Sequence, residues 1–304
     1  MKSFKEKLKK KCSKCKDVSI DVYGRSVARL FRLTTSSSDL LPETTKWLKN
    51  EKLRNKYKAL PLGKRRHLSV AAHMFFKAFG EVDSYWQGRM FADSNEYSRE
   101  RAKNKKSPTE AKNWVDNALT KLKKVSTEYK RSINHTLRKT PNVKNLWKFT
   151  QYIILRFYSE IQLRNDLATV KLSAGKNENY LKRVKGSRYD LHMNSFKASE
   201  KIGSRVIEVS KALSNVLHTY IQYRSKVELK HSNLLSNVEG KPLSKTGLGR
   251  ILRKLTADKL GKTIGTRMLR IFNASKHAKL LEKAAKVSHN MLHSEKQTKE
   301  YVRK

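Results

Sequence analysis

Acidic residues are scarce: 26 Asp+Glu stand against 69 Lys+Arg in 304 residues, a formal net charge of +43. The few carboxylates form no recognisable cluster, which argues against a metal-dependent nuclease or transposase, whose ions need grouped acidic ligands. Cysteine is nearly absent. The only pair, Cys12-Ser13-Lys14-Cys15, has no second pair with which to complete a four-ligand zinc site within the chain. Its simplest reading is two reduced thiols in a mobile basic arm; a redox role, or a metal site shared with another molecule, stays open because the flanking lysines favour thiolates. Long apolar runs are missing too. Tyr152-Ile153-Ile154-Leu155 ends at Arg156, far short of the roughly 20 residues that span a bilayer. The basic start lacks the apolar stretch of a signal peptide. There is no Walker-type loop, since Gly247-Leu248-Gly249 is a lone G-x-G of the kind that opens helices, and no internal repeat. His289 and His293 have helical zinc-pair spacing, yet His289-Asn290-Met291-Leu292-His293 lacks the glutamate of a metalloprotease and a third ligand. Neither a metal nor another cofactor is expected.

What remains is positive charge on a chain able to fold. So large an excess of cations exceeds what solubility requires and calls for a polyanionic partner. Nucleic acid fits best, because neutralised phosphates release counterions and supply most of the affinity of a basic protein. With no membrane partner indicated, the expectation is a soluble, intracellular protein associated with double-stranded DNA, in a host nucleus or a viral factory. Hydrophobic content of 38% is low but adequate for a core, and the apolar residues recur at helical spacing.

The length suggests about two domains at roughly 100–200 residues each. Residues 1–39 read as a basic flexible arm and a polar linker, Thr34-Thr35-Ser36-Ser37-Ser38. Residues 40–140 read as a helical DNA-binding domain. Leu68, Ala71, Ala72, Phe75 and Phe79 form one apolar stripe, and Ala111, Trp114, Val115, Ala118, Leu122 and Val125 form another. On the second helix, Lys112, Lys121, Lys123, Lys124, Lys130 and Arg131 occupy much of the remaining surface and are the candidate contacts to DNA phosphates. Thr140-Pro141 marks the expected break, because the residue before proline avoids helical geometry. Residues 141–304 begin with a helix on Val143, Leu146, Trp147, Thr150, Ile153, Ile154 and Phe157. The period then changes: 180–184, 189–193 and 205–209 predict a small antiparallel sheet, followed by helices near 211–226, 245–260, 266–272 and 276–288 and a last one carrying Tyr301. The fold class expected is α+β, mostly helical.

Four positions and the tail carry the chemistry: Arg164 in Gln162-Leu163-Arg164-Asn165-Asp166, Lys197 in Phe196-Lys197-Ala198-Ser199, Arg267 and Arg270 in Arg267-Met268-Leu269-Arg270, and His293 ahead of Tyr301. In this order and context the region from about residue 143 to 304 resembles the tyrosine recombinases, the phage-type integrase family. The resemblance implies a core-binding helical domain and a catalytic domain that cleaves and rejoins DNA through a covalent 3′-phosphotyrosyl intermediate. It implies Tyr301 as nucleophile, Arg164, Arg270 and His293 as stabilisers of the transition-state phosphate, and Lys197 as general acid, with Lys201 a competitor for that place. Arg267 stands where the family has His or Lys. The family also implies four protomers on two DNA sites. The Arg267-x-x-Arg270 variant and Met291-Leu292-His293-Ser294 look closest to integrases of large DNA viruses or mobile elements. A type IB topoisomerase, or a basic DNA-binding protein that kept the fold without turnover, are the alternatives.

Overall fold

In the computed structural model, residues 2–36, 41–173, 175, 177–280 and 282–283 are described. The chain is α+β and mostly helical, with one small antiparallel sheet. It divides into two compact units, Met1–Lys106 and Ser107–Lys304.

The first unit contains α1 (Lys2–Lys11), α2 (Asp17–Phe31), α3 (Glu51–Lys58), α4 (Leu62–Ala78) and α5 (Ser84–Ala102). The stripe on α4 buries Leu68, Ala71, Ala72 and Phe75 among the other helices. α5 starts at Asp83, whose carboxylate accepts from the Trp86 amide at 3.0 Å, and Trp86 lies fully buried with its indole N–H donating to the Leu48 carbonyl at 2.9 Å. Asp93 is completely buried on the same helix. It is held by the Tyr57 hydroxyl, by Arg89 and by Arg65, the kind of partners that a carboxyl group removed from water requires.

Two features of this unit correct the sequence reading. The basic arm is not an arm: Phe4 and Leu8 recur on one face of α1 and are buried in the core, while α2 adds Ile20, Val27 and Leu30. Dense lysine hides that face in the sequence, since a few apolar residues at helical spacing suffice to dock a helix whose lysines stay in water. Cys12 and Cys15 are not free thiols. The chain reverses between α1 and α2, bringing their Cα atoms to 5.4 Å, and they form a disulfide.

The second unit opens with α6 (Pro108–Lys112) and α7 (Ala118–Leu137), continues with α8 (Val143–Tyr158) and a 3₁₀ turn (Asn165–Thr169), and then forms β1 (Tyr180–Arg183), β2 (Tyr189–Met193), α9 (Ser199–Ile202) and β3 (Arg205–Glu208). α10 (Lys211–Arg224), α11 (Lys245–Leu260) and α12 (Thr266–Lys276) follow. The strands pair antiparallel in the order β1-β2-β3, with Leu181 opposite Leu191 and Leu191 opposite Ile207. Alternation buries Tyr189, Leu191 and Met193 on one face of β2. Their core is shared with α8, which is buried almost throughout its second half, and with α10 and α11.

The boundary expected at Thr140-Pro141 is instead a turn inside this unit. α7 ends at Leu137, ahead of Pro141, but its apolar face is buried against α8, so the two cannot belong to separate cores; Tyr129 on α7 also donates to Gln151 on α8 at 3.0 Å. The second stripe is also interrupted. α6 opens on a capping box between Ser107 and Glu110 and ends at Lys112, and Asn117 adopts a left-handed conformation, φ 53°, which asparagine tolerates better than most residues. Trp114 and Val115 therefore lie in the connection, and Lys112 ends α6 rather than continuing the helix of the other lysines.

Leu8→Ala should lower the unfolding free energy of the first unit by about 2–5 kcal/mol, the usual cost of emptying a leucine site in a core. Chemical denaturation followed by tryptophan fluorescence measures it; an unchanged midpoint would return α1 to the status of an arm.

Candidate active site

α8 begins with Asn142 capping the Asn145 amide at 2.9 Å and runs into the core as far as Tyr158. There the buried Tyr158 hydroxyl donates to the Arg164 carbonyl at 2.6 Å, fixing the backbone of Arg164 just beyond the helix. Burial, and then the Asp166 carboxylate, push the Tyr158 phenol well above its ordinary range, so it serves as a neutral donor. Asn165, next in the chain, accepts from the Thr266 hydroxyl at 2.9 Å, tying the segment after Arg164 to the first turn of α12. α11 passes so close that a Cβ at Gly249 would lie 2.9 Å from the Asn165 amide nitrogen. One turn into α12, Arg270 donates from Nε to the Thr266 carbonyl at 3.3 Å.

Arg164 and Arg270 thus reach one cleft of about 280 Å³, whose lining also includes Asp166, Met193, Phe196, Ala198, Arg205 and Ile207. Burial lowers the Arg270 pKa, and the neighbouring charges of Arg164 and Arg267 lower it further, while Tyr158 and Asp166 act in the opposite direction. An arginine so placed stays protonated but is surrounded by unfavourable like charge, which an arriving anion would relieve. Asp166, itself buried, offsets part of the repulsion and is paired with Lys245 at 2.7 Å. Chemically, the arrangement offers planar cationic forks beside apolar side chains, suited to the oxygens of a phosphate group.

The other candidates are distributed as follows. Arg267 does not line the cleft; its guanidinium donates to Glu110 of α6 at 2.7 Å. Lys262 and Thr263 add hydrogen bonds to the Lys112 carbonyl and the Asn113 side chain, both at 2.9 Å, so α6 and the residue after it lie along the approach to α12. Lys197 sits in the turn after β2. Phe196 and Ala198 on either side of it line the cleft, whereas Lys197 itself is exposed and is not part of the lining. Lys201 is exposed on α9. His293 and Tyr301 lie outside the described residues, as does His289. Lys121, Lys123, Lys124, Lys130 and Arg131 are exposed along α7, and Lys112 is exposed at the end of α6.

Arg205 is a cleft residue that the motifs do not single out, although the sequence carries a signal for it: it opens a predicted strand, and with period-two alternation it must share a face with Ile207, its companion in the cleft. The Glu110–Arg267 and Asp166–Lys245 pairs have no comparable local signal. Among the described residues, no three His, Cys, Asp or Glu side chains are grouped to hold a metal ion.

No protein-family model and no curated protein sequence matches the chain. Among solved structures it is similar to one described as "Crystal structure of XerA recombinase", at 13% identity and a TM-score of 0.39, with 100% of this chain and 94% of that one covered. The functional reading therefore rests on the cleft and on the residues that form it.

Tyr158→Phe should cost about 0.5–1.5 kcal/mol of stability, because the Arg164 carbonyl loses its donor. Equilibrium denaturation of the variant beside wild type measures this; an unaltered stability would mean that the hydrogen bond does not hold Arg164.

Proposed function

We propose that the protein is a site-specific DNA recombinase or integrase that cleaves and rejoins strands through a 3′-phosphotyrosyl intermediate. The observation that carries this reading is the meeting of Arg164 and Arg270, far apart in sequence, in a cleft that also takes in Arg205. The second unit is then the catalytic domain, and the basic face of α7 is a DNA contact surface. The motif order from Arg164 to Tyr301 and the net charge of +43 support the same assignment.

In the reaction, the Tyr301 phenol gives up its proton to solvent as its oxygen attacks the scissile phosphorus, a P–O(Tyr) bond forms and the bond to the 5′ oxygen breaks. Lys197 delivers a proton to that departing oxygen. Arg164 and Arg270 meet the negative charge that grows on the non-bridging oxygens, with His293 adding a hydrogen bond; fixed donors of this kind are commonly worth about 10²–10³ in rate apiece. Arg267, always protonated, contributes charge and not general-base chemistry. The phosphotyrosyl bond conserves the energy of the broken linkage, so a 5′-hydroxyl from another strand reverses the step without a nucleotide cofactor. Four protomers would bring two sites together for successive exchanges.

A pool of nicked, random-sequence DNA duplexes, followed by denaturing electrophoresis, tests the assignment whatever the target sequence is. A protein–DNA adduct that resists denaturation is expected from wild type. It should be lost in Tyr301→Phe and reduced at least about 10²-fold in Arg164→Ala and Arg270→Ala. Tight binding with no adduct throughout the pool would instead support a non-catalytic DNA-binding protein. Relaxation of any supercoiled plasmid without joining of two duplexes would support a type IB-like topoisomerase.

The α7 surface is tested separately. Replacing Lys121, Lys123 and Lys124 together by Ala should reduce the salt dependence of binding to a non-specific duplex by about 0.9 in log–log slope for each phosphate that the variant no longer neutralises. A slope equal to that of wild type in fluorescence anisotropy would remove this face from the interface.

A further inference from the structure

Asn179, immediately before β1, is almost entirely buried, at 2% exposure, yet its side chain is polar. Every hydrogen-bonding position of its carboxamide is used. Its Oδ1 accepts from the amides of Asn194 at 2.9 Å and Ser195 at 2.8 Å, and its Nδ2 donates to the Ser195 carbonyl at 2.7 Å and to the Thr169 hydroxyl at 2.9 Å. The amide inventory of two donors and two acceptors is thereby exhausted. Asn194 answers by donating from its own side chain to the Glu178 carbonyl at 2.9 Å.

These contacts join two places that matter to the cleft. Asn194 and Ser195 begin the turn that contains Lys197, with Phe196 and Ala198 in the cleft wall. Downstream, the turn is closed by the Ser199 hydroxyl, which donates to the Phe196 carbonyl at 2.8 Å. Thr169 ends the 3₁₀ turn that follows Arg164, and its hydroxyl donates to the carbonyl of Asp166, another cleft residue, at 2.7 Å. A hairpin turn fixed only at its strand ends would leave a long lysine side chain with a wide range of positions. One buried carboxamide removes that freedom by anchoring the turn to the segment carrying the first arginine. An apolar side chain could fill the volume but would leave two backbone amides and a carbonyl of the turn without their partner, so the site favours this residue type.

We propose that Asn179 is a positioning residue of the reaction: it holds the Lys197 turn in register with the Arg164 segment, so that the proton donor and the phosphate-binding arginine act on the same group. The inference rests on the general-acid role given to Lys197 above. It makes Asn179 act on leaving-group protonation and not on DNA binding or on phosphate charge.

The test uses the full chain, in wild-type form and as Asn179→Ala, Thr169→Val and Lys197→Ala, with a duplex recovered from the covalent pool. That duplex is made once with the ordinary 5′ oxygen at the scissile position and once with a bridging sulfur, whose thiolate departs without a proton. On the oxygen substrate, Asn179→Ala and Lys197→Ala should each slow cleavage by about 10²-fold or more, within the range of a lost general acid. Thr169→Val, which keeps the side-chain volume but removes the hydroxyl that accepts from Asn179 and donates to the Asp166 carbonyl, leaves the Asn179 contacts to the turn in place and should show a smaller loss. On the sulfur substrate all three should return to within about threefold of wild type, with binding of the duplex unchanged. Recovery of Lys197→Ala alone, with Asn179→Ala and Thr169→Val equally slow on both substrates, would reduce Asn179 to a purely structural residue and overturn the proposal.

Hydrogen exchange in the absence of DNA separates this from failure of the functional reading. Amides of residues 194–199 should exchange at least about tenfold faster in Asn179→Ala, and measurably faster in Thr169→Val, while those of α8 keep their wild-type protection. Wild-type protection across the turn in both variants would overturn the proposal whatever the enzymology shows. If Lys197→Ala fails to recover on sulfur while the turn is loosened in the Asn179 variant, the general-acid assignment falls and the positioning proposal falls with it. The anchoring contact itself would still stand.

Discussion

Concentration of like charge is the constraint on which the second unit depends. Arg164, Arg205 and Arg270 open into one cleft, with Arg267 close enough to depress the Arg270 pKa further. Left alone, such a group would push its elements apart, so the surrounding structure must hold it. Asp166 supplies a buried negative charge within the cleft, and Glu110 takes up Arg267 at its edge. The Tyr158 hydroxyl, neutral because of its burial, fixes the Arg164 backbone without adding charge. These restraints leave the cations near one another with incomplete compensation, which is an electrostatic condition that favours the arrival of an anion such as a phosphate group.

Placement of those charges follows from packing. The apolar second half of α8 runs through the core and delivers Arg164 at its end, while α11 approaches the following turn closely at Gly249. α12 is joined to the same turn through Thr266 and Asn165, so its next turn presents Arg270 to the cleft. The sheet provides the third wall component: β3 contributes Arg205 and Ile207, and the turn between β2 and α9 contributes Phe196 and Ala198. Burial therefore sets the positions of the helices, and a small number of satisfied polar contacts sets the register among them. This division explains why a polar residue such as Asn179 occupies a site where an apolar one would be expected from burial alone.

Regular periodicity makes much of this legible in the sequence. The strands near 180–184, 189–193 and 205–209, the stripe through Leu68 and Phe75, and the helix leading to Arg164 all stand out as repeating apolar patterns, and the fold class follows from them. Where charge density masks a pattern, the sequence misleads: the lysines of α1 conceal Phe4 and Leu8, so that a docked helix reads as an arm. Non-local pairing is the second obstacle. Nothing around Pro141 reveals that α7 and α8 share a core, and nothing near Arg267 indicates that Glu110 will occupy it. Arg164 and Arg270 can be singled out by their order and motif context, but the spatial partnership of Asn179 with Asn194, Ser195 and Thr169 exists only once β1 has been placed beside the hairpin turn.

The central claim, that the paired arginines receive the scissile phosphate, is tested most directly by a crystal structure of the Tyr301→Phe protein bound to a nicked duplex. Oxygens of one phosphate at the nick are expected within hydrogen-bonding distance, about 2.7–3.2 Å, of both the Arg164 and Arg270 guanidinium groups. A duplex held by the lysines of α7, with no phosphate reaching either arginine, would contradict the account.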